Sequence, residues 1–459
     1  MSLLQTQLGL VESSDPHRIA GTVQAIAGLT IEAADLALPI GSLCRICAPG
    51  RAGSIAEVIG FDDDRTLLMP LSSVAGVCRG DRIESIAAAP TIACSAHMLG
   101  RVLNGFGRPM DELGPIPRDA IVRIDNRSPP ALARRNIRDP IATSIRAIDG
   151  LLTCGRGQRM GIFSGPGVGK STLLSQIATH CDADVSVIAL IGERGREVRE
   201  FLDHALGQAG LKRSVVIVSN ADDPPPLRVR AARVACAVAE FFRDAGKHVM
   251  LLVDSLTRLA QAQRQIGLAA REPPATRGFP PSVFALLPEI LERAGQTESG
   301  SITGFYTVLV EGDDFNEPIP DAVKGITDGH LWLSRALANR GHFPAIDVLQ
   351  SISRVRGDVC EASEVGNARK VQALLATYQD IEDLVNIGAY VPGNNPDYDL
   401  AVQTRQQVVA YLQQDSKHPT TLAQAKQQLA ELIARVDQVD RVVRTTRQQQ
   451  PQANGDRRR

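Results

Sequence analysis

Ser164-Gly165-Pro166-Gly167-Val168-Gly169-Lys170-Ser171-Thr172 is the stretch on which the reading of this chain turns. A short apolar run, 160–163, precedes it, and a helix-favouring stretch, 170–179, follows. Gly165, Gly167 and Gly169 let the backbone turn tightly and present N–H groups to an anion, at which the following helix aims its positive N-terminus. Lys170 adds a point charge for outer phosphates, and Ser171 offers a hydroxyl to Mg²⁺. The strict pattern G-x-x-x-x-G-K-[ST] has Gly where this chain has Ser164, its least chemical position. Alone, the loop predicts binding of ATP or GTP with Mg²⁺ on a strand–loop–helix unit.

Outward from the loop, strand-like runs at 185–191, 215–218 and 249–253 alternate with helical stretches at 195–206, 227–243 and 255–265. Such alternation predicts a mostly parallel sheet covered by helices. Upstream, residues 18–92 hold short β-favouring runs at 21–26, 43–47, 55–59 and 66–70, broken by Gly, Pro and Asp, which predict a small antiparallel barrel or sandwich. Two loop-rich stretches, 105–118 and 126–140, connect the two patterns. After Gly357 the chain is Gln- and Ala-rich and helical in pattern. Leu422, Leu429, Leu432, Ile433, Val436 and Val439 give it one apolar stripe. From Arg441 onward a Gln run and the Arg457-Arg458-Arg459 end predict a solvated tail.

At 459 residues the chain is long enough for several domains. Lys plus Arg, 50, balances Asp plus Glu, 51, so the overall charge favours neither a nucleic-acid nor an anionic-membrane partner. No apolar run approaches the ~18 residues a membrane helix needs, and the first residues lack a basic stretch followed by an apolar core. The expectation is a cytoplasmic chain. Its eight scattered cysteines are expected to be reduced. Cys44 and Cys47 have redox or zinc spacing, but a strand puts them on opposite faces and no second pair completes four ligands.

Two carboxylate positions extend the phosphate site. Asp254 closes the apolar run 249–253, where a phosphate loop needs an acid to position its metal. Hydrolysis also needs a group that orients or deprotonates water. Glu193 and Glu197, directly after the run 185–191, both lie where ligands of parallel sheets bind, and spacing does not choose between them.

Several long motifs now join: 153–159 leading into the phosphate loop, Gly192-Glu193-Arg194-Gly195-Arg196-Glu197-Val198, Leu252-Val253-Asp254-Ser255-Leu256-Thr257-Arg258, the Pro-rich 273–284, Val310 to Pro318, and His342-Phe343-Pro344 running to Arg354. Together they resemble the type III export ATPases, relatives of the catalytic subunit of rotary ATP synthases. The flagellum-specific branch is the nearer, with the virulence injectisome ATPase as the alternative and a rotary synthase subunit a remoter one. The resemblance implies an α/β fold class: an N-terminal small β-barrel, a central RecA-like P-loop NTPase domain and a C-terminal helical domain. The divisions expected are 1–17 as a partner-binding segment, 18–92 as barrel, 93–357 as ATPase domain, 358–447 as helical domain and 448–459 as disordered tail.

Residue by residue, it implies Glu193 as the water-activating carboxylate, Arg194 as the adjacent phosphate-region arginine and Lys170 as the loop lysine. Ser171 and Asp254 would hold Mg²⁺, and residues Gly165, Pro166, Gly167, Val168, Gly169, Lys170, Ser171 and Thr172 would cradle ATP. Phe343 matches the aromatic that stacks on adenine, Tyr390 is expected near the base pocket, and Arg354 is the finger reaching into a neighbouring subunit's site. A homohexamer follows, with a stalk protein at the loop from Pro273 to Pro281 and a stator-like regulator at Leu3, Leu4 and Leu8. Export gate, chaperone and substrate proteins complete the partners, at the cytoplasmic face of the inner membrane.

Three other readings make distinct demands. A non-catalytic nucleotide-binding subunit would lack the carboxylate at 193 or have a decayed loop, yet Lys170, Ser171, Glu193 and Asp254 are all present. An RNA translocase needs a basic, aromatic-lined groove, and residues 18–92 hold one Phe and neither Trp nor Tyr. A synthase subunit would require a second subunit type, whereas this chain carries both carboxylate and finger arginine.

Overall fold

The computed structural model describes residues 19–47, 53–87, 90–310 and 317–449. The leucines at positions 3, 4 and 8, the motif residues 311–316 and the tail from 450 lie outside the described residues. Six strands close the N-terminal barrel in the order Ala20–Ala27, Thr30–Ala34, Arg65–Pro70, Ser54–Asp62, Leu43–Cys47 and Arg82–Ala87. Closure leaves no open edge, which distinguishes it from a sandwich. Two of these strands, Thr30–Ala34 and Arg82–Ala87, lie outside the runs read from the sequence, each interleaving its two β-branched residues with Glu, Ala or Ser. They are strands because tertiary pairing recruits them. Val23, Ile31, Ile46, Val58, Leu68 and Ile83 fill the interior. Cys44 joins them, its thiol pushed up to about 12 by burial, while Cys47 is only half-buried on the other face.

The central sheet runs in the order Ile352–Ser353, Gly329–Leu333, Arg159–Ser164, Ser301–Leu309, His248–Asp254, Val185–Glu193, Ser214–Asn220 and Val102–Asn104. It is parallel apart from Ile352–Ser353 at one edge and the short strand Gly295–Gln296. Both faces are covered. Along Val185–Glu193, Val187, Ala189 and Ile191 enter one core cluster while Ile188 and Leu190 enter the other, the period-two alternation of a strand buried on both sides. The 92/93 division falls inside the strand Thr91–Cys94, which pairs with Ala120–Arg123 and packs Ile92 and Cys94 into the central core.

The connecting segment is fixed by two arginines. Arg134 donates to the carbonyls of Glu292 and Ala294. Arg293, fully buried, forms a bidentate pair with Glu240 at 2.7 Å for each bond and donates to the Ile124 carbonyl. Removing one partner of such a pair strands a charge in the core, so Glu240→Ala is expected to lower unfolding free energy by about 3–5 kcal/mol. Guanidinium unfolding reads this directly, and an unchanged midpoint would refute it.

Helices Ala362–Asn386, Pro396–Leu412 and Leu422–Gln449 form the C-terminal part. Leu429, Leu432, Ile433 and Val436 are buried, but against Ile148 and Leu151 of the central part as well as against Val371 and Tyr411. The helical part therefore shares a core with the nucleotide part. Its last helix continues through 448–449, where a tail was expected to begin.

Candidate active site

The phosphate loop joins the strand Arg159–Ser164 to the helix Lys170–His180. Gly167 and Gly169 hold φ of 77° and 89°, the left-handed region that penalises a Cβ. Val168 anchors the loop in the core, 2% exposed, while Pro166 and Gly167 face solvent. No side chain caps the helix, so its first N–H groups are left for an anion. Ser171 and Thr172 open it on an exposed face.

Lys170 Nζ stands 2.5 Å from Asp254 Oδ1 and 3.8 Å from Glu193 Oε1. Glu193 and Asp254 end their strands, and Lys170 begins the helix that follows the loop. The Asp254 strand is not the loop strand's direct neighbour, because Ser301–Leu309 lies between them. That intervening strand contributes Thr307, whose hydroxyl donates to Asp254 Oδ1 at 2.7 Å.

Glu193, rather than Glu197, is brought to the lysine, and the backbone explains why. Gly192 has φ 71°, and the pairing with Ser214–Asn220 shifts register between Ile191 and Glu193. Such a bulge re-aims the next side chain. The Glu193 side chain is 14% exposed, and its carboxyl is pushed up to about 7 by burial first and by the charge of Asp254 second, against the pull of Lys170. Glu197 sits behind it, paired with Arg194 at 3.2 Å. Arg194 is at the rim with its guanidinium exposed, outside the Lys170–Glu193–Asp254 cluster.

Phe343 lies against the loop: a Cβ at Gly169 would meet its ring at 3.6 Å. Its carbonyl accepts from the backbone N–H of Gln414, which follows the helix Pro396–Leu412. Tyr390 does not belong here. Its hydroxyl donates to Asp399 near the other end of the same helix, roughly 20 Å away at 1.5 Å per residue. The expectation that it approaches the base is corrected: Gln414, not Tyr390, is the C-terminal residue beside Phe343.

Arg354 is also distant from its own loop. Its N–H bonds the Asp328 carbonyl, and Asp328 pairs with Arg159 at the start of the loop strand. Five strand residues then separate it from Ser164, about 16 Å at 3.3 Å per residue. Sequence reasoning missed Thr307, Gln414 and Arg258. Arg258, in the first turn of the helix that Ser255 caps, packs against Gly192 and draws the Glu193 carboxyl downward by its charge. Its signal was its place four residues after Asp254 at the same sheet edge.

The residues fit a magnesium nucleotide. Glu193 Oε1 and Ser164 Oγ are buried at the loop without hydrogen-bond partners, and the available donors are hard oxygens of Ser171 and Asp254. Mg²⁺ typically takes one or two such protein ligands and completes its shell with phosphate and water. Among the described residues no helix is long and apolar enough to cross a membrane.

Residues 144–353 match the ATP synthase alpha/beta family, nucleotide-binding domain, and residues 360–431 match the T3SS EscN ATPase C-terminal domain. The chain is similar to the flagellum-specific ATP synthase of Bacillus subtilis (strain 168), 47% identical over 424 residues that cover 92% of this chain and 97% of that one. It is also similar to the assembled ATPase EscN of the enteropathogenic E. coli type III secretion system, at 42% identity and TM-score 0.85, covering 90% of this chain and 100% of that one. EscN in complex with its central stalk EscO gives 42% identity and TM-score 0.83 over the same shares.

Proposed function

The chain belongs to the family of flagellum-specific and type III secretion ATPases, and we propose that it hydrolyses ATP as a homohexameric ring that energises release, unfolding and export of proteins. The observation that carries this is the meeting of Lys170, Glu193 and Asp254 at one sheet edge beneath a glycine loop. Flagellum-specific relatives reach 48% identity over 91% of this chain, against 47% over 86% for a type 3 secretion relative, which favours a flagellar apparatus over an injectisome.

Each residue has a physical task. Backbone N–H groups of Gly165 to Lys170 and the helix N-terminus hold the phosphates, Thr172 extends that cradle, and Lys170 exchanges Asp254 for the outer phosphates. Ser171 and Asp254 would hold Mg²⁺, which when bound neutralises charge on the phosphate oxygens. Glu193 orients and deprotonates the attacking water, with Arg194 poised at the rim toward the phosphates. Phe343 forms the adenine shelf. Arg354, unable to reach its own loop, serves a neighbour's.

The loop from Pro273 to Pro281, exposed from Pro273 through Arg277, is the proposed bearing for a central stalk, rigid because of its prolines. The first 17 residues are proposed to hold a stator-like regulator, with export gate, chaperone and substrate proteins docking in turn. The ring is placed at the cytoplasmic face of the inner membrane. Purified chain is expected to turn over ATP with Mg²⁺ and to stop in chelator. In the same assay Phe343→Ala should raise KM for ATP about 10- to 100-fold, the worth of one base–aromatic stack. ATP binding without Mg²⁺-dependent turnover would overturn the enzymatic reading.

A further inference from the structure

Asp254 Oδ1 accepts two hydrogen bonds, one from Lys170 Nζ at 2.5 Å and one from Thr307 Oγ1 at 2.7 Å. The Thr307 hydroxyl has a single proton. Its other neighbour, the Val253 carbonyl, is 3.4 Å away, so that proton goes to the carboxylate. Thr307 is fully buried and Asp254 is 4% exposed, so no bulk water replaces either donor.

The two donors differ in what becomes of them. Lys170 begins the phosphate-loop helix and is the cation that incoming phosphates recruit away from Asp254. Thr307 sits mid-strand, in register with Ile162 of the loop strand, and has nowhere to go. Once Lys170 leaves, Thr307 is the donor that keeps Oδ1 satisfied and the carboxylate plane fixed. Without it a buried anionic oxygen loses its partner and the side chain is free to rotate.

We infer that Thr307 is a positioning residue for magnesium: it holds the Asp254 carboxylate in the metal-receiving orientation after Lys170 transfers to the phosphates. The inference rests on the proposed role of Asp254 and Ser171 as Mg²⁺ ligands.

The test is fluorescent-ADP binding to the full chain, measured in chelator and across a Mg²⁺ titration. Thr307→Val keeps the shape and removes the hydroxyl; Thr307→Ser keeps the hydroxyl. In Thr307→Val the Mg²⁺ concentration giving half the tightening should rise about 10- to 100-fold, the usual effect of losing a partner behind a metal ligand. Affinity in chelator should not change, and Thr307→Ser should restore the wild-type Mg²⁺ requirement. An unchanged requirement in Thr307→Val, equal loss of affinity with and without Mg²⁺, or failure of Thr307→Ser to rescue would each overturn the proposal. Should Thr307→Val not fold, Thr307→Ala carries the same comparison. A wild-type chain whose nucleotide affinity ignores Mg²⁺ would instead refute the metal role of Ser171 and Asp254.

Discussion

Glu193→Gln is expected to lower ATP turnover about 10²- to 10⁴-fold, the span associated with a positioned general base, while nucleotide binding persists. The amide preserves the shape beside Lys170 and cannot take a proton from water. The pH dependence makes the prediction sharper. The Glu193 carboxyl titrates at about 7 in the free site, raised chiefly by burial. A base must be ionised to act, so wild-type kcat/KM should rise tenfold per pH unit below that value and level off above it. The residual rate of Glu193→Gln should lack this limb.

Stability carries the opposite sign. A carboxyl whose folded pKa lies above its unfolded value binds more protons when folded. Its ionisation therefore costs stability as pH rises from the unfolded pKa through about 7, and the cost persists above. Glu193→Gln should raise the melting temperature in alkaline buffer and leave it nearly unchanged in acid. Full turnover by the variant, or an acid limb that survives the substitution, would remove Glu193 from the chemistry.

Arg354→Ala is expected to cost about 10³- to 10⁵-fold in turnover, the range for an arginine that stabilises charge on a transferred phosphoryl group. The decisive feature is that the loss is mendable by a different inactive subunit. Arg354 stands about 16 Å along the strand direction from its own phosphate loop, too far for its side chain. An Arg354→Ala subunit thus keeps an intact loop and lacks only the arginine it supplies to a neighbour's site. A Lys170→Ala subunit has the reverse defect. Mixing the two inactive proteins should regenerate composite sites and recover turnover, whereas mixing Arg354→Ala with an Arg354→Ala, Lys170→Ala double variant should not. Absence of recovery in rings shown to exchange subunits would place Arg354 in a structural role.

What the sequence announced and what it concealed divide along local and non-local physics. The loop, its helix and the strands beginning at Arg159, Val185, Ser214 and His248 were visible because glycine placement and continuous apolar runs are local signals. The barrel strands Thr30–Ala34 and Arg82–Ala87 were not, since short runs mixed with Glu and Ala become strands through pairing with their neighbours. Gly192 preceding Glu193 was readable, but the bulge that turns Glu193 inward and leaves Glu197 behind depends on the register with Ser214–Asn220. Tyr390 illustrates the opposite failure. The family resemblance suggested the base, and the length of the helix Pro396–Leu412 carries it to the far end.

By itself, then, the sequence determined the strand–loop–helix unit in which the eight residues from Gly165 to Thr172 are proposed to cradle phosphate, because tight glycine turns, a helix start and a lysine need only adjacent residues. Only the tertiary structure decided which carboxylate faces Lys170, that Thr307 stands behind Asp254, that Gln414 touches Phe343, and that Arg354 is out of reach of its own loop. Strand order and register bring together residues separated by tens to hundreds of positions, and neither is encoded in spacing along the chain.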